Sequence, residues 1–124
     1  MGTLKVLQPQ EVEVFYLLPT LRKEIAKALK THGHDQKRIA AMLGVTDAAV
    51  SQYITGKRGS EVEFPKEFTQ RVAEAAKTIL DQQSCFTQLQ QLMQEATTSG
   101  LLCQIHMQMD KSVGTSCAVC FERK

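Results

Sequence analysis

The sequence predicts an all-helical (all-α) protein, and two observations lead to this prediction. First, the 124 residues include no Trp, two Tyr and five Phe, so Leu, Ile, Val, Met and Ala must form the core, and most of these residues favour helices over strands. Second, the apolar residues from Leu18 onwards recur at intervals of three and four, as in an amphipathic helix. The composition, 43% apolar and 23% charged, is typical of a globular protein and excludes collagen-like, mucin-like and fully disordered chains.

The distribution of charge divides the chain into two parts. Residues 18–60 contain eight Lys or Arg and three acidic residues, a net charge of +5, whereas residues 61–124 have a net charge of −2. We therefore expect an anionic partner for the first part and a different role for the second. No segment has the roughly 20 consecutive apolar residues of a membrane span, and no signal peptide is recognisable. The prediction is a cytoplasmic protein without a membrane partner.

The N-terminal residues up to Tyr16 have no long apolar period and are interrupted by Pro9, so an extended arm is predicted there. The first helix is predicted to begin at about Pro19, a residue suited to a first helical turn. It is predicted to run to Thr31, with Gly33 as the left-handed residue that ends it.

Residues 35–60 contain the most informative pattern of the chain. Asp35 is expected to cap a helix over Gln36–Leu43, Gly44 to permit a tight turn, and Thr46 to cap a second helix that runs to about Thr55. Two helices joined by so short a turn form a helix-turn-helix unit. A basic loop is predicted to follow it: Gly56, Lys57, Arg58, Gly59 and Ser60.

Each position of this pattern has its own steric requirement. The residues concerned are Ile39, Ala40, Leu43, Gly44, Val45, Val50, Ser51, Tyr53, Gly56 and Lys57. With them, the region from about Pro19 to Arg58 resembles the lambda-repressor-like (XRE-type) helix-turn-helix family of transcriptional regulators. The resemblance implies that the chain binds a double-stranded DNA operator as a homodimer, because such operators usually have two half-sites. The alternative is a three-helix core that serves protein contacts.

The resemblance also implies which residues contact DNA. The side chains expected in the major groove belong to Asp47, Ala48, Ser51 and Gln52. Gln52 can pair with adenine, Ala48 can contact a thymine methyl group, and Asp47 can accept a hydrogen bond from cytosine or serve only as a first-turn helix residue. Phosphate contacts are expected from Gln36, at the positive start of the first helix of the unit, and from the basic side chains of Lys37, Lys57 and Arg58. The complete predicted DNA-binding set is Gln36, Lys37, Thr46, Asp47, Ala48, Ser51, Gln52, Lys57 and Arg58.

Three further helices are predicted in the second part of the chain: about four turns after Pro65, a helix over Phe86–Thr97, and a short helix from Leu101 to about Met109. The apolar stripe of the first is Phe68, Val72, Ala75, Ala76, Ile79 and Leu80, and that of the second is Phe86, Leu89, Leu92, Met93 and Ala96. The predicted dimer interface consists of six residues from these two stripes: Phe68, Val72, Ile79, Leu89, Leu92 and Met93. The alternative is that the stripe covers the first helix.

All four cysteines lie in the last forty residues: Cys85, Cys103, Cys117 and Cys120. Clustered thiols in a cytoplasmic protein indicate metal or redox chemistry, and Cys117 and Cys120 form a C-x-x-C pair. An iron–sulfur cluster held by the four cysteines is the first hypothesis, because zinc favours two such pairs. Zinc, a thiol switch and buried inert cysteines are the alternatives. His106 either replaces one thiolate or lies outside the ligand set, at the surface or behind a ligand.

Together these patterns predict a helix-turn-helix DNA-binding domain with an N-terminal arm at residues 1–60 and a small helical dimerisation and sensor region with the cysteine cluster at residues 61–124. The predicted function is a transcriptional regulator whose DNA affinity the metal site controls, with a small-molecule or redox signal acting there. The alternatives are a zinc-stabilised repressor, an antitoxin-like repressor, or an enzyme that uses the cluster or thiols on a small molecule. No phosphate loop, nucleophile motif or acid–base constellation supports an enzyme.

Overall fold

A computed structural model describes residues 7–109, and this part of the chain is helical without strands, as predicted. The helices are α1 (Pro9–Val12), a π-helical turn (Glu13–Leu17), α2 (Leu18–Thr31), α3 (Gln36–Leu43), α4 (Asp47–Ile54), α5 (Lys66–Ala76), α6 (Gln82–Thr98) and α7 (Leu101–Met109). None of the helices in residues 7–109 combines the length and apolar character needed to cross a bilayer.

The prediction of an extended N-terminal arm is wrong from Pro9 onwards. Pro9 is the first residue of α1, where its missing N–H costs nothing, and the Gln8 N–H donates to Glu11 Oε1 at 2.8 Å. Helical backbone then continues into α2 through the π-helical turn, in which the Leu18 N–H donates to the Glu13 carbonyl. This wider turn admits Pro19 inside a helical segment.

The chain between α5 and α6 also differs from the prediction. Helix α5 ends at Ala76, earlier than its apolar stripe indicated, and Thr78 Oγ1 donates to the Ala75 carbonyl at 2.8 Å. Ile79 remains buried beyond the helix, but the Leu80 side chain is 71% exposed. Helix α6 begins four residues before the predicted start, capped by Asp81. Cys85 therefore lies in the core, whereas Phe86 is 66% exposed.

Buried residues from both parts of the chain form one hydrophobic core, which includes Val12, Leu21, Ile25, Ile39, Val50, Val72, Ile79, Leu92, Leu102 and Ile105. Helix α2 packs against α4 and α5, α3 against α6, and α1 against α7. Val72, Ile79, Leu89 and Leu92 are thus covered within the chain. The prediction of a dimer interface is wrong for these four side chains, because they are not available to a second copy. Phe68 and Met93, also predicted for it, are partly buried against the same core.

Candidate nucleic-acid interface

The two helices α3 and α4 begin at side-chain caps, as predicted. The Arg38 N–H donates to Asp35 Oδ1 at 2.8 Å at the start of α3, and the Ala49 N–H donates to Thr46 Oγ1 at 3.1 Å at the start of α4. Each cap satisfies an N–H group that has no partner within its helix. The predicted bounds of α3 are confirmed, and α4 ends one residue before the predicted end.

The turn between α3 and α4 depends on Gly44. This residue has φ +69° and ψ +35°, the left-handed conformation that glycine adopts without strain. The chain reverses there with the Val45 N–H donating to the Ala40 carbonyl at 3.0 Å. Two residues further on, Thr46 already caps α4, so the turn sets the angle between the helices over a very short distance.

Helix α4 has one buried and one accessible side. Ala49, Val50 and Tyr53 are buried, with Val50 fully inaccessible. The other side consists of the residues predicted to read bases: Asp47 and Ala48 are exposed, and Ser51 and Gln52 are partly exposed. The buried residues attach the helix to the core, while the accessible side presents a carboxylate, a methyl group, a hydroxyl and an amide in two helical turns.

Gln36 connects the starts of the two helices. Its Nε2 donates to the Asp47 carbonyl at 3.0 Å. The sequence predicts a phosphate contact for Gln36, so this bond was not expected. An amide nitrogen carries two hydrogens, so this bond uses one and leaves the other for a ligand. The first turn of α3 and the first turn of α4 are therefore held side by side.

The basic loop after α4 is attached to that helix. The Lys57 and Arg58 N–H groups both donate to the Gln52 carbonyl, at 2.9 and 3.2 Å. The Arg58 guanidinium lies 5.8 Å from the centre of the Tyr53 ring, a cation–π contact. Both basic side chains are exposed, as is Lys37 at the start of α3. Arg38 is exposed as well, so four cations are exposed on the α3–turn–α4 unit and its loop.

The α3–turn–α4 unit packs against the second part of the chain, and two of the contacts there involve identified side chains. Arg38 Nη2 donates to the Leu80 carbonyl at 3.3 Å. A Cβ atom at Gly44 would lie 2.8 Å from Gln82 Nε2, so the first turn of α6 lies against the α3–α4 turn. Sequence reasoning missed both contacts, because no local pattern relates positions about forty residues apart.

Two of the four cysteines predicted as metal ligands lie within the described residues. Cys85 on α6 and Cys103 on α7 are both buried free thiols. Burial raises the pKa of the Cys85 thiol to about 11, while the Arg22 charge opposes the shift. Within residues 7–109, no three His, Cys, Asp or Glu side chains are grouped to hold a metal ion. Cys117 and Cys120 lie outside the described residues, so the iron–sulfur and zinc hypotheses stay predictions.

His106 is buried rather than at the surface. Its Nε2 lies 2.7 Å from the Leu7 carbonyl oxygen. Because a carbonyl can only accept, Nε2 carries the hydrogen, and a protonated nitrogen cannot bind a metal. The bond ties α7 to the residues before α1.

Comparison of the chain with protein-family models, with curated proteins and with solved structures finds no match.

Proposed function

We propose that the chain binds double-stranded DNA with sequence preference, with α4 in the major groove. The observation that carries the proposal is the accessible side of α4, which offers four base-reading side chains on a helix anchored by fully buried Val50. A major groove about 12 Å wide admits one α-helix, and an accessible, rigidly held helix start beside a basic loop has the form required for that role.

The chemistry of each accessible side chain supports a different part of base reading. The Gln52 amide can donate to and accept from one adenine edge at the same time, which distinguishes adenine from the other bases. The Ala48 methyl group fits a thymine methyl group, and the Ser51 hydroxyl can donate or accept. The Asp47 carboxylate is tolerated near DNA only where it accepts from cytosine, since phosphates would otherwise repel it.

The basic groups supply affinity rather than sequence preference. Lys37, Lys57 and Arg58 are exposed, and each phosphate they neutralise releases a counterion, so affinity falls as salt is raised. The Arg58 guanidinium lies over the Tyr53 ring. This cation–π contact favours a position of the cation close to the end of α4. A protein-contact role for the same unit would not require these cations and would not give this salt dependence.

The test begins with selection of a preferred duplex from a randomised library by the full chain. Gln52→Ala is expected to weaken binding to that duplex by roughly 1–3 kcal/mol and to lose discrimination at one base pair. Lys57→Ala is expected to weaken all duplexes alike and to reduce the slope of affinity against salt by about one phosphate contact. Fluorescence anisotropy at several salt concentrations measures both effects.

Lys66→Ala is the matched control, because Lys66 is an exposed lysine at the start of α5, outside the α3–turn–α4 unit. It should leave the selected site and the salt slope unchanged. The proposal fails if no duplex is enriched, or if Gln52→Ala retains full discrimination at every position of the selected site.

A further inference from the structure

A groove lies between the start of α5 on one side and the end of α6 with α7 on the other. It has two lobes, of about 330 and 570 Å³, and Pro65, Leu101 and Gln104 line both of them. Lobes of this size are typical of sites for small organic molecules. The described lining residues include none of the predicted DNA-binding set, so DNA binding does not explain the groove.

Apolar side chains line both lobes. Phe68 and Leu101 line the smaller lobe, and Phe64 and Met107 line the larger one. The rings of Phe64 and Phe68 meet edge to face, with their centroids 4.9 Å apart, a favoured arrangement for an aromatic pair. The groove therefore offers apolar surface to a ligand, and covering that surface removes it from water.

The polar groups of the smaller lobe are mainly hydrogen-bond acceptors. Arg71 is already bonded to the Glu95 carboxylate through Nε and Nη2, at 3.0 and 2.9 Å. The Ser99 hydroxyl donates its hydrogen to the Ala96 carbonyl at 3.4 Å, so its oxygen is left to accept. Glu67 adds a further carboxylate to the same lobe. A ligand group that donates several hydrogen bonds suits these oxygens.

The groove also carries negative charge that is not balanced. Glu67 lines the smaller lobe and Glu63 the larger, and neither carboxylate is bonded to another side chain in the described part of the chain. Three carboxylates and one guanidinium line the two lobes, a net charge of −2 for the described lining residues. This charge repels a carboxylate or phosphate ligand and attracts a cation.

We propose that the groove binds an organic primary amine, with the ammonium group among the oxygens of Glu67, Glu95 and Ser99 and the apolar group against Phe68 and Leu101. An ammonium group has three hydrogens to donate and no acceptor, which matches the oxygens of the smaller lobe. The aromatic ring beside it adds a cation–π attraction. Because the bonds of Arg71 to Glu95 join α5 to α6 across this lobe, its walls are held in place before a ligand enters, which lowers the entropic cost of binding.

The experiment titrates the full, isotope-labelled chain with phenethylamine at neutral pH and follows the amide signals by NMR. Saturable shifts are expected at Leu101, Gln104 and their neighbours in the groove, with a dissociation constant of about 1 mM or lower for so small a ligand. Phenylpropionate, which has a similar apolar group and a negative charge, should bind at least about tenfold more weakly at the same ionic strength. The test needs no DNA and is independent of the proposed function.

Two substitutions change the charge of Gln104, an exposed residue on the wall of both lobes. Gln104→Glu should strengthen phenethylamine binding by about threefold, and Gln104→Lys should weaken it by a similar factor, as expected for one exposed charge. Misfolding of the Gln104→Glu variant could not produce tighter binding. No saturable shift with phenethylamine, equal binding of phenylpropionate, or equal affinity in the two Gln104 variants would overturn the proposal.

Glu67→Gln removes one carboxylate from the smaller lobe and should weaken phenethylamine binding by about threefold. Glu61→Gln is the matched control, because Glu61 is an exposed carboxylate of the same segment and is not among the residues that line either lobe. It should change the affinity little. An equal loss in these two variants would also contradict the proposal, since the effect would then come from the overall charge of the segment and not from the groove.

Discussion

Gly59 lies where the loop after α4 crosses the start of α2. Its φ is +77°, and a Cβ atom there would clash with the Pro19 carbonyl oxygen and lie 3.1 Å from Lys23 Cβ. Gly59→Ala is therefore expected to lower the free energy of unfolding by about 2 kcal/mol or more, since left-handed strain of about 1–2 kcal/mol is combined with a clash against backbone. Urea unfolding measures the change.

Gly33→Ala separates the two causes. Gly33 also has a positive φ, +96°, but no atom lies within 4 Å of a Cβ at this position. Gly33→Ala should therefore destabilise the protein through backbone strain alone, by about 1–2 kcal/mol. Equal destabilisation by both variants would mean that the loop does not pass as close to α2 as the structure indicates.

The buried thiol of Cys85 is expected to make the free energy of unfolding fall at alkaline pH. Burial raises the pKa of its thiol to about 11 from an ordinary value of 9.0, while the Arg22 charge opposes the shift. The thiol of the unfolded chain loses its proton first as pH rises, so this contribution to stability is complete below about pH 9. It is lost as the pH rises to about 11.

The variant Cys85→Ala should remove this dependence. Its free energy of unfolding should fall less between pH 8 and pH 11 than that of the wild type, by up to about 2 kcal/mol. Denaturant unfolding at a series of pH values measures how the free energy of unfolding of each protein changes with pH. Truncation of the side chain lowers the stability of the variant by the same amount at every pH, so it does not alter this comparison. Parallel pH profiles would mean that the Cys85 thiol is not buried in solution.

At the scale of the element, the start of α4 depends on one hydroxyl group. Thr46 Oγ1 accepts from the Ala49 N–H at 3.1 Å, so Thr46→Ala should destabilise the protein by about 1 kcal/mol. Because the first turn of α4 holds Asp47 and Ala48, the same variant should also weaken DNA binding. Thr46→Ser keeps the hydroxyl and should retain both properties. Thermal melts and anisotropy measure them, and an equal loss in the two variants would contradict the capping role.

Helix α3, predicted from its own cap, has the predicted bounds, and α4 ends one residue early. Of the helices predicted from apolar period, α7 has the predicted bounds, whereas α5 and α6 do not. Asp35, Gly44 and Thr46 act through bonds to residues within a few positions, so these determinants can be recognised locally. The ends of α5 and α6 depended instead on which apolar residues the core could hold: it buried Ile79 beyond a helix and Cys85 within one, and left Leu80 and Phe86 exposed. Apolar period cannot distinguish such neighbours.

At the scale of the whole molecule, the described residues of both parts of the chain share one core. Helices α5 and α6 cover α2 and α3, and Arg38 is bonded to the Leu80 carbonyl. The α3–turn–α4 unit is therefore held by residues outside it, and measurements of DNA binding require the full chain. A change at α6 also has a direct path of contacts to the α3–α4 turn, through Gln82.

The helical class, the α3–turn–α4 unit and the basic character of its surroundings could be predicted from the sequence alone. These follow from glycine, cap residues and helical period, whose effects extend over a few residues. The packing of the helices was needed to show that most of the stripe predicted for a dimer is core, that Cys85 and His106 are buried, and that α6 has an uncharged exposed face with Phe86. Burial is a property of the packed molecule, because the free energy gained by covering an apolar side chain depends on which helices reach it.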